Sequence, residues 1–278
     1  MKISKYLFIS FLAVIIFYYK INLKFSTRKI YFPQEYLLSN INNKDHGSII
    51  FDQEFSYIDK GSQFYVFESS DKKHVIKFMR FDKVNPPMWA RLFHNFAFSK
   101  SIIAKKKKRL LNVLKSSRLA ASLNQNYGIV LHNLDGKHYN NNVTIIKAGN
   151  KVQVDLNKTF FLIQKKVTKL NEAFSSENYE KQQLIIHKFF QAVIRSFDLK
   201  IFNNTRRCMG NVGLCEGEII EFDIGDIHYS ENLSDINIRK ACFKRLTSPL
   251  REYLSKELPN LVDYFDKKEK MFLTNSFE

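Results

Sequence analysis

The sequence predicts an α+β fold with two lobes, a small β-rich lobe and a larger helical lobe, behind one N-terminal apolar membrane helix. Short runs of β-branched and aromatic residues alternate with polar turns over residues 49–81, and similar runs recur over 152–164. A long helical pattern covers 177–202, and further helices follow from Leu233 onward. The 278 residues are enough to bury a core for one domain of two lobes.

The predicted boundaries follow the same order along the chain. Residues 1–25 form an anchor or signal-like segment and 26–48 a linker, followed by the β-rich lobe over 49–166 and the helical lobe over 167–278. The β-rich lobe contains a basic helical insert at 83–134. With 45% hydrophobic residues and 26 Phe, the composition excludes a disordered protein.

An apolar run from Tyr6 to Tyr19 is interrupted only by Ser10. As a straight helix this run spans roughly 21 Å, short of a hydrocarbon core of ~30 Å, although a snorkelling Lys20 would extend it. The flank after the run is more basic than the flank before it, so the positive-inside rule predicts a single pass through the inner membrane with a cytoplasmic body. A cleaved signal peptide with secretion is the alternative, although no small-x-small cleavage site follows; a buried helix is the third reading.

The cysteine content agrees with a reducing compartment. Cys208, Cys215 and Cys242 are odd in number and form no C-x-x-C motif. The sequence therefore predicts free thiols rather than a disulfide framework.

The net charge of +17 is concentrated in one segment. Residues 83–134 contain ten Lys or Arg and no acidic residue, and a helix is predicted there from Ser99 to Asn124. Its centre carries five consecutive basic residues, namely Lys105, Lys106, Lys107, Lys108 and Arg109. These residues form either a solvated helix face or a surface attracted to anionic lipid, worth on the order of 1 kcal/mol per basic residue. Nucleic acid is not expected, because no nucleic-acid-binding motif is present.

Two motifs stand in the β-rich lobe. The first is Lys60 to Phe67, which holds a single glycine, Gly61, followed by Ser62, between two predicted strands. The second is a predicted strand that contains Lys77, eleven residues after Val66. A lone lysine in a strand commonly faces solvent, so this motif gains weight only from its spacing to the first.

Two more motifs lie nearer the C-terminus. The predicted strand with Gln164 leads into the helical lobe. Beyond the long helix, Asn211 precedes Asp223 by twelve residues, and a predicted hairpin from Cys215 delivers Asp223 just before Gly225, which is expected to allow a sharp turn. A carboxylate and a side-chain amide supply the oxygen ligands that Mg²⁺ prefers.

Over residues 49–230 these motifs resemble the protein-kinase-like superfamily in an atypical, degenerate form, similar to uncharacterised bacterial kinase-like proteins and to lipopolysaccharide-core and small-molecule kinases. The resemblance implies ATP and Mg²⁺ as cofactors. Gly61 and Ser62 would belong to the glycine-rich loop and Lys77 would contact the phosphates. Gln164 would lie on the strand that enters the adenine-binding hinge, and Asn211 and Asp223 would hold the metal.

The chain departs from the family at two positions. The helix after Lys77 has no acidic residue to hold the lysine, so we expect Lys77 to pair elsewhere, for example with Asp223, or to be held by the nucleotide alone. The catalytic carboxylate is expected five residues before Asn211, where Arg206 stands. Asn204 lies near the same place, as does Asn203, and no catalytic residue is assigned.

Three functions remain open. The first is a membrane-anchored, atypical phosphotransferase that uses ATP and Mg²⁺. The second is a catalytically inactive pseudokinase that serves as a scaffold at the membrane. The third is a basic membrane-binding protein without a nucleotide site.

Overall fold

The computed structural model describes residues 26–33, 36–37, 49–136, 139, 141–203 and 208–276. Within these residues the architecture is mixed α+β, with a large sheet in the first part of the chain and a helical region in the second. None of the helices described is both long and apolar enough to cross a membrane. The predicted anchor at 1–25 and most of the predicted linker lie outside the described residues.

A seven-stranded sheet forms the first lobe, in the order β4-β7-β3-β2-β1-β5-β6. All neighbouring strands are antiparallel except β1 and β5, which are parallel. The strands are β1 (Glu54–Lys60), β2 (Phe64–Ser69), β3 (His74–Met79), β4 (Ile129–Asn133), β5 (Asn142–Lys147), β6 (Asn150–Asp155) and β7 (Phe161–Lys165). The expected strand at 49–51 is instead part of a 3₁₀ helix, Ile49–Asp52.

A long helix packs on this sheet. Two short helices, α1 (Phe81–Val84) and α2 (Met88–Leu92), lead into α3 (Ala97–Ser122), and α4 (Asn124–Tyr127) follows. The buried stripe of α3 lies on one face and joins the core under the sheet. The segment 83–134 therefore differs from the predicted helical insert, because its last residues form β4, an edge strand of the main sheet.

The second lobe is helical around an aromatic core. Its helices are α5 (Leu170–Ser176), α6 (Tyr179–Asp198), α7 (Cys208–Asn211), α8 (Ile236–Glu257) and α9 (Val262–Asn275). The predicted helix over 177–202 is shorter, since Asn178 caps its start and the chain turns at Lys200, where φ is +53°. Phe190 packs against Phe243, Phe265 and Phe272 at its centre.

The second lobe also contains two small sheets. One joins β8 (Thr168–Lys169), β10 (Val212–Cys215) and β11 (Glu218–Glu221); the other joins β9 (Ile201–Asn203) and β12 (Ile227–Tyr229). The β10–β11 hairpin closes through Glu216 and Gly217, both at positive φ, a two-residue turn that suits the twist of paired strands. The hairpin thus begins at Val212, and it sets Asn211 and Asp223 at its two ends. Cys215 and Cys242 are free thiols.

Candidate active site

Lys77 reaches from the sheet to the end of the β10–β11 hairpin. Its side chain is only 7% exposed, and its Nζ donates a hydrogen bond of 2.5 Å to the carbonyl oxygen of Phe222. Burial lowers the pKa of Lys77 to about 8, partly offset by the negative charge of Asp223. Lys77 therefore lies within electrostatic reach of Asp223, as expected, although its hydrogen bond goes to the preceding carbonyl.

Asn211 and Asp223 are in direct contact. Asn211 Nδ2 donates to Asp223 Oδ2 at 3.0 Å, and the Gly225 amide donates to Asp223 Oδ1 at 3.2 Å. Both carboxylate oxygens are thereby oriented by donors, which fixes the side chain at the head of the turn. The structure brings Lys77, Asn211 and Asp223 together, and we refer to these three residues as the polar cluster.

The β1–β2 turn contacts the segment that carries Asp223 through a residue that the sequence analysis did not single out. Gln63 Nε2 donates to the Gly225 carbonyl oxygen at 2.8 Å. A Cβ on Gly225 would lie 3.0 Å from Gln63 Oε1, so a larger residue there would push the Gln63 amide slightly away. Gly225 lies in a turn, as expected, and its φ is not among the positive values of the described glycines.

Gly61 and Ser62 are both exposed in this turn. The Gly61 amide donates to the Phe64 carbonyl at 2.9 Å, and its carbonyl accepts from Arg80 Nη1 at 2.9 Å. The Ser62 carbonyl accepts from Arg109 Nη2 at 3.1 Å. Both residues are thus held in a hairpin, and their neighbour Gln63 makes the hydrogen bond to the segment that carries Asp223.

Gln164 is the penultimate residue of β7, the strand from which the chain leaves the main sheet, and its role beside a hinge stays a prediction. It is fully buried, and its Nε2 donates to the Tyr127 carbonyl, while its Oε1 has no hydrogen-bond partner among the described residues. Leu162 is the register partner of Lys77, so Gln164 lies two residues, or about 7 Å, further along the strand. The chain crosses to the other lobe only after Lys166, whose amide still bonds to the Lys73 carbonyl.

Two further polar side chains hold the segment around Asp223. Asn203 Nδ2 donates to Glu221 Oε1 at 2.6 Å and to the Asp223 carbonyl at 3.0 Å. Ser116 Oγ on α3 donates to the Ile224 carbonyl at 2.5 Å and accepts from the Ile227 amide at 2.8 Å. The sequence held a signal for Ser116, since it is a hydroxyl on the apolar stripe of α3, but nothing local identified its partners.

The predicted catalytic positions Asn204 and Arg206 lie outside the described residues. The sequence has no Asp or Glu between Asp198 and Glu216, so that loop supplies no carboxylate. Asn203 is described, and both of its contacts above are made by its amide nitrogen. It holds the backbone at Asp223 in place.

The donor chemistry of the polar cluster fits Mg²⁺ in part. Over the described ranges, no three His, Cys, Asp or Glu side chains come together as a metal-binding group. One carboxylate with a side-chain amide is nonetheless a common protein share of a Mg²⁺ site, because the ion takes its other ligands from phosphates and water. Asn211 and Asp223 could therefore hold Mg²⁺ only jointly with a nucleotide.

Comparison with known proteins yields structural neighbours alone. No family model matches the sequence, and no curated protein matches it. One structure of WbdD aligns with a TM-score of 0.37 and 13% identity, covering 77% of this chain and 45% of that one. A second, described as the bifunctional kinase-methyltransferase WbdD, aligns at 0.36 and 14%, covering 75% and 43%. This chain therefore spans less than half of those chains. Both TM-scores lie below 0.5, so these alignments do not define the fold of this chain.

Proposed function

We propose that this chain is a kinase-like phosphotransferase that binds ATP with Mg²⁺ at the polar cluster and works beside a membrane, anchored there by residues 6–19. One observation carries the proposal: Lys77, Asn211 and Asp223 come from three separate segments and converge at residues 222–223. A buried lysine next to a carboxylate–amide pair is the arrangement expected where phosphates and a divalent cation meet.

The described residues divide the work in this proposal. Asn211 and Asp223 would hold Mg²⁺, which when bound neutralises charge on the phosphates. Lys77 supplies a positive charge on the side of the main sheet. Gln63 connects the β1–β2 turn to Gly225. Ser116 and Asn203 fix the backbone on either side of Ile224, which keeps the carboxylate of Asp223 in place.

A pseudokinase is the second candidate, and one observation favours it. The loop before Asn211 has no carboxylate to accept a substrate proton, and such a base typically contributes 10²–10⁴-fold to a rate. Phosphoryl transfer depends mainly on positioning and charge, so slow turnover remains compatible with this loop. The two candidates share nucleotide binding and differ in turnover.

A thermal-shift experiment tests the shared step. We expect Mg²⁺-ATP to raise the melting temperature of the full chain, since a ligand at 100 times its Kd stabilises by about 2.7 kcal/mol. Asp223→Asn keeps the shape and should abolish the shift, whereas Asp263→Asn, on an exposed position of α9, should keep it. No shift at millimolar Mg²⁺-ATP in the wild type would remove both nucleotide-based candidates.

Phosphate release and mass spectrometry of the protein then separate the candidates. Inorganic phosphate formed from ATP, or a phosphate on the chain itself, that disappears in Asp223→Asn supports the phosphotransferase. Stabilisation by Mg²⁺-ATP with neither product supports the pseudokinase.

A further inference from the structure

A contiguous set of large apolar side chains is exposed where the chain passes from α2 into α3. Trp89 stacks on Phe98 with ring centroids 5.9 Å apart, and Phe96 contacts Phe98 at 5.8 Å and Phe93 at 6.1 Å. All members are exposed by between 44% and 69% of their surface. We name them the aromatic knob; they are Met88, Trp89, Leu92, Phe93, Phe96 and Phe98.

Single exposed apolar residues are ordinary on a protein surface, but a contiguous patch marks an interaction site. The aromatic knob is built on a five-residue helix and the first turn of α3, joined by the turn at 93–96. Its rings contact one another, so the patch is preformed. Such a preformed apolar projection requires an apolar medium or socket to cover it.

The stretch of chain that contains the aromatic knob carries charge of one sign. Residues 83–134 contain no acidic residue, and Arg91 and Lys100 are exposed within and beside the knob. Lys105 follows Phe98 by seven residues, so it lies on the same side of α3 about 10 Å further along the axis. That distance is about one Debye length, so Lys105 still acts on charges at the level of the knob.

Not all of the five consecutive basic residues at 105–109 face outward. Lys106 Nζ donates to the Lys83 carbonyl at 2.8 Å, and Arg109 donates to Ser62, so both are directed toward the lobe. Lys105, Lys107 and Lys108 are exposed. The five-residue basic run predicted to meet lipid thus contributes three outward charges.

We propose that the aromatic knob inserts into the interfacial region of an anionic lipid bilayer, with Arg91, Lys100 and Lys105 at the level of the headgroups. Aromatic residues with basic neighbours suit that region, where apolar side chains enter about 5–10 Å. A protein partner would need an apolar socket rimmed by acidic groups, whereas an anionic leaflet offers both properties in one surface. This inference is independent of nucleotide binding.

Trp89 is the single tryptophan of the chain, and it lies in the aromatic knob, so its emission reports on this surface alone. The full chain is mixed with phosphatidylcholine vesicles that contain 30% phosphatidylglycerol or none, with flotation as the measure of binding. We expect a blue shift of Trp89 with the anionic vesicles, and quenching by lipids brominated near the top of the acyl chains. If the chain floats with the anionic vesicles while Trp89 neither shifts nor is quenched, another segment binds the lipid and the proposal fails.

Two matched pairs of variants test the two parts of the surface. Lys100→Gln/Lys105→Gln should raise the vesicle concentration for a half-maximal shift about 25-fold, at about fivefold per basic residue, whereas Lys267→Gln/Lys270→Gln on α9 should not. Leu92→Ser/Phe96→Ser, both exposed, should reduce the shift and the quenching, whereas Leu184→Ser/Tyr229→Ser on the other lobe should not. Equal behaviour of test and control pairs overturns the proposal.

The lipid-free spectrum distinguishes the other occupants. If residues 6–19 of the same chain or a second copy cover the aromatic knob, Trp89 emission is blue-shifted before any lipid is added. On dilution the blue shift of Trp89 stays unchanged if a segment of the same chain covers the aromatic knob. It is lost if a second copy covers the knob, because the dimer dissociates. If either result is found and vesicles cause no further shift, the aromatic knob is covered by protein and not by a bilayer, and the proposal is overturned.

Discussion

At the scale of single residues, Lys77 is a buried lysine whose amine contacts a backbone carbonyl and makes no direct ion pair with Asp223. The helix α3 offers it no carboxylate, so its Nζ bonds to the Phe222 carbonyl and feels the charge of Asp223 from a distance. Burial favours the neutral amine, which brings its pKa down to about 8. Phosphate oxygens close to Lys77 Nζ would favour the ammonium form and would therefore offset the effect of burial on the pKa.

The lowered pKa of Lys77 predicts a specific dependence of stability on pH. Between pH 8 and pH 10.5 the unfolded chain holds the Lys77 proton while the folded chain releases it, so the free energy of unfolding rises with pH in this window. A shift from 10.5 to about 8 corresponds to roughly 3 kcal/mol. Urea unfolding of wild type and Lys77→Met from pH 7 to 10.5 should show the wild type gaining this amount over the variant.

The control for that comparison is Lys267→Met, which removes an exposed amine of α9. Its unfolding free energy should follow the wild type across the same window. Parallel curves for wild type and Lys77→Met would mean that Lys77 is not buried in its charged form.

At the scale of elements, α3 is connected to the Asp223 segment by a hydroxyl. Ser116 Oγ pairs with one carbonyl and one amide on either side of the turn from Ile224 to Ile227. Both of these backbone groups lie in the core between the lobes, where an unpaired polar group costs about 1–3 kcal/mol. The helix therefore positions the turn that carries Asp223, even though it supplies no partner to Lys77.

We expect Ser116→Ala to lower the free energy of unfolding by about 1–3 kcal/mol, because the Ile224 carbonyl and Ile227 amide lose their partner. Under the proposed function it should also weaken binding of Mg²⁺-ATP. Ser122→Ala on the same helix is the matched control, since its Oγ bonds only to the Leu119 carbonyl at an exposed site. Urea titration compares the two, and equal stability in both variants would show that the Ser116 contacts contribute nothing.

The sequence predicted local features of the elements better than their long-range partners. The strand with Lys77 and the hairpin before Asp223 depend on neighbouring residues, and the structure has both. The parallel pairing of β1 with β5 joins residues about 90 positions apart, and Ser116 meets Ile224 across 108 positions. No periodicity in the chain encodes such pairings, because they depend on how finished elements pack. Gln164 lies on a strand, as its local sequence indicates, but its complete burial depends on the pairing of β7 with β3 and β4.

At the scale of the whole molecule, one of the three hydrophobic clusters formed by the described residues joins the two lobes. It combines Leu114 of α3 and Leu162 of β7 with Ile201, Ile224 and Ile227 from the second lobe. The other two clusters belong to the main sheet and to the helical lobe respectively. Ile224 of the shared cluster directly follows Asp223 in the chain, so the packing that stabilises the molecule also holds the segment that carries the site.

This shared core predicts that the two lobes unfold together. Ile224→Ala removes a side chain that is 1% exposed and should cost about 2–5 kcal/mol, whereas Ile58→Ala, at 49% exposure, should change stability by less than about 0.5 kcal/mol. Hydrogen exchange followed by mass spectrometry reads β7 and α6 separately. We expect equal loss of protection in the two elements, since either lobe unfolds only when the shared cluster opens. Loss confined to one of them would mean that the lobes are independent units, and the polar cluster would then form only while they are docked.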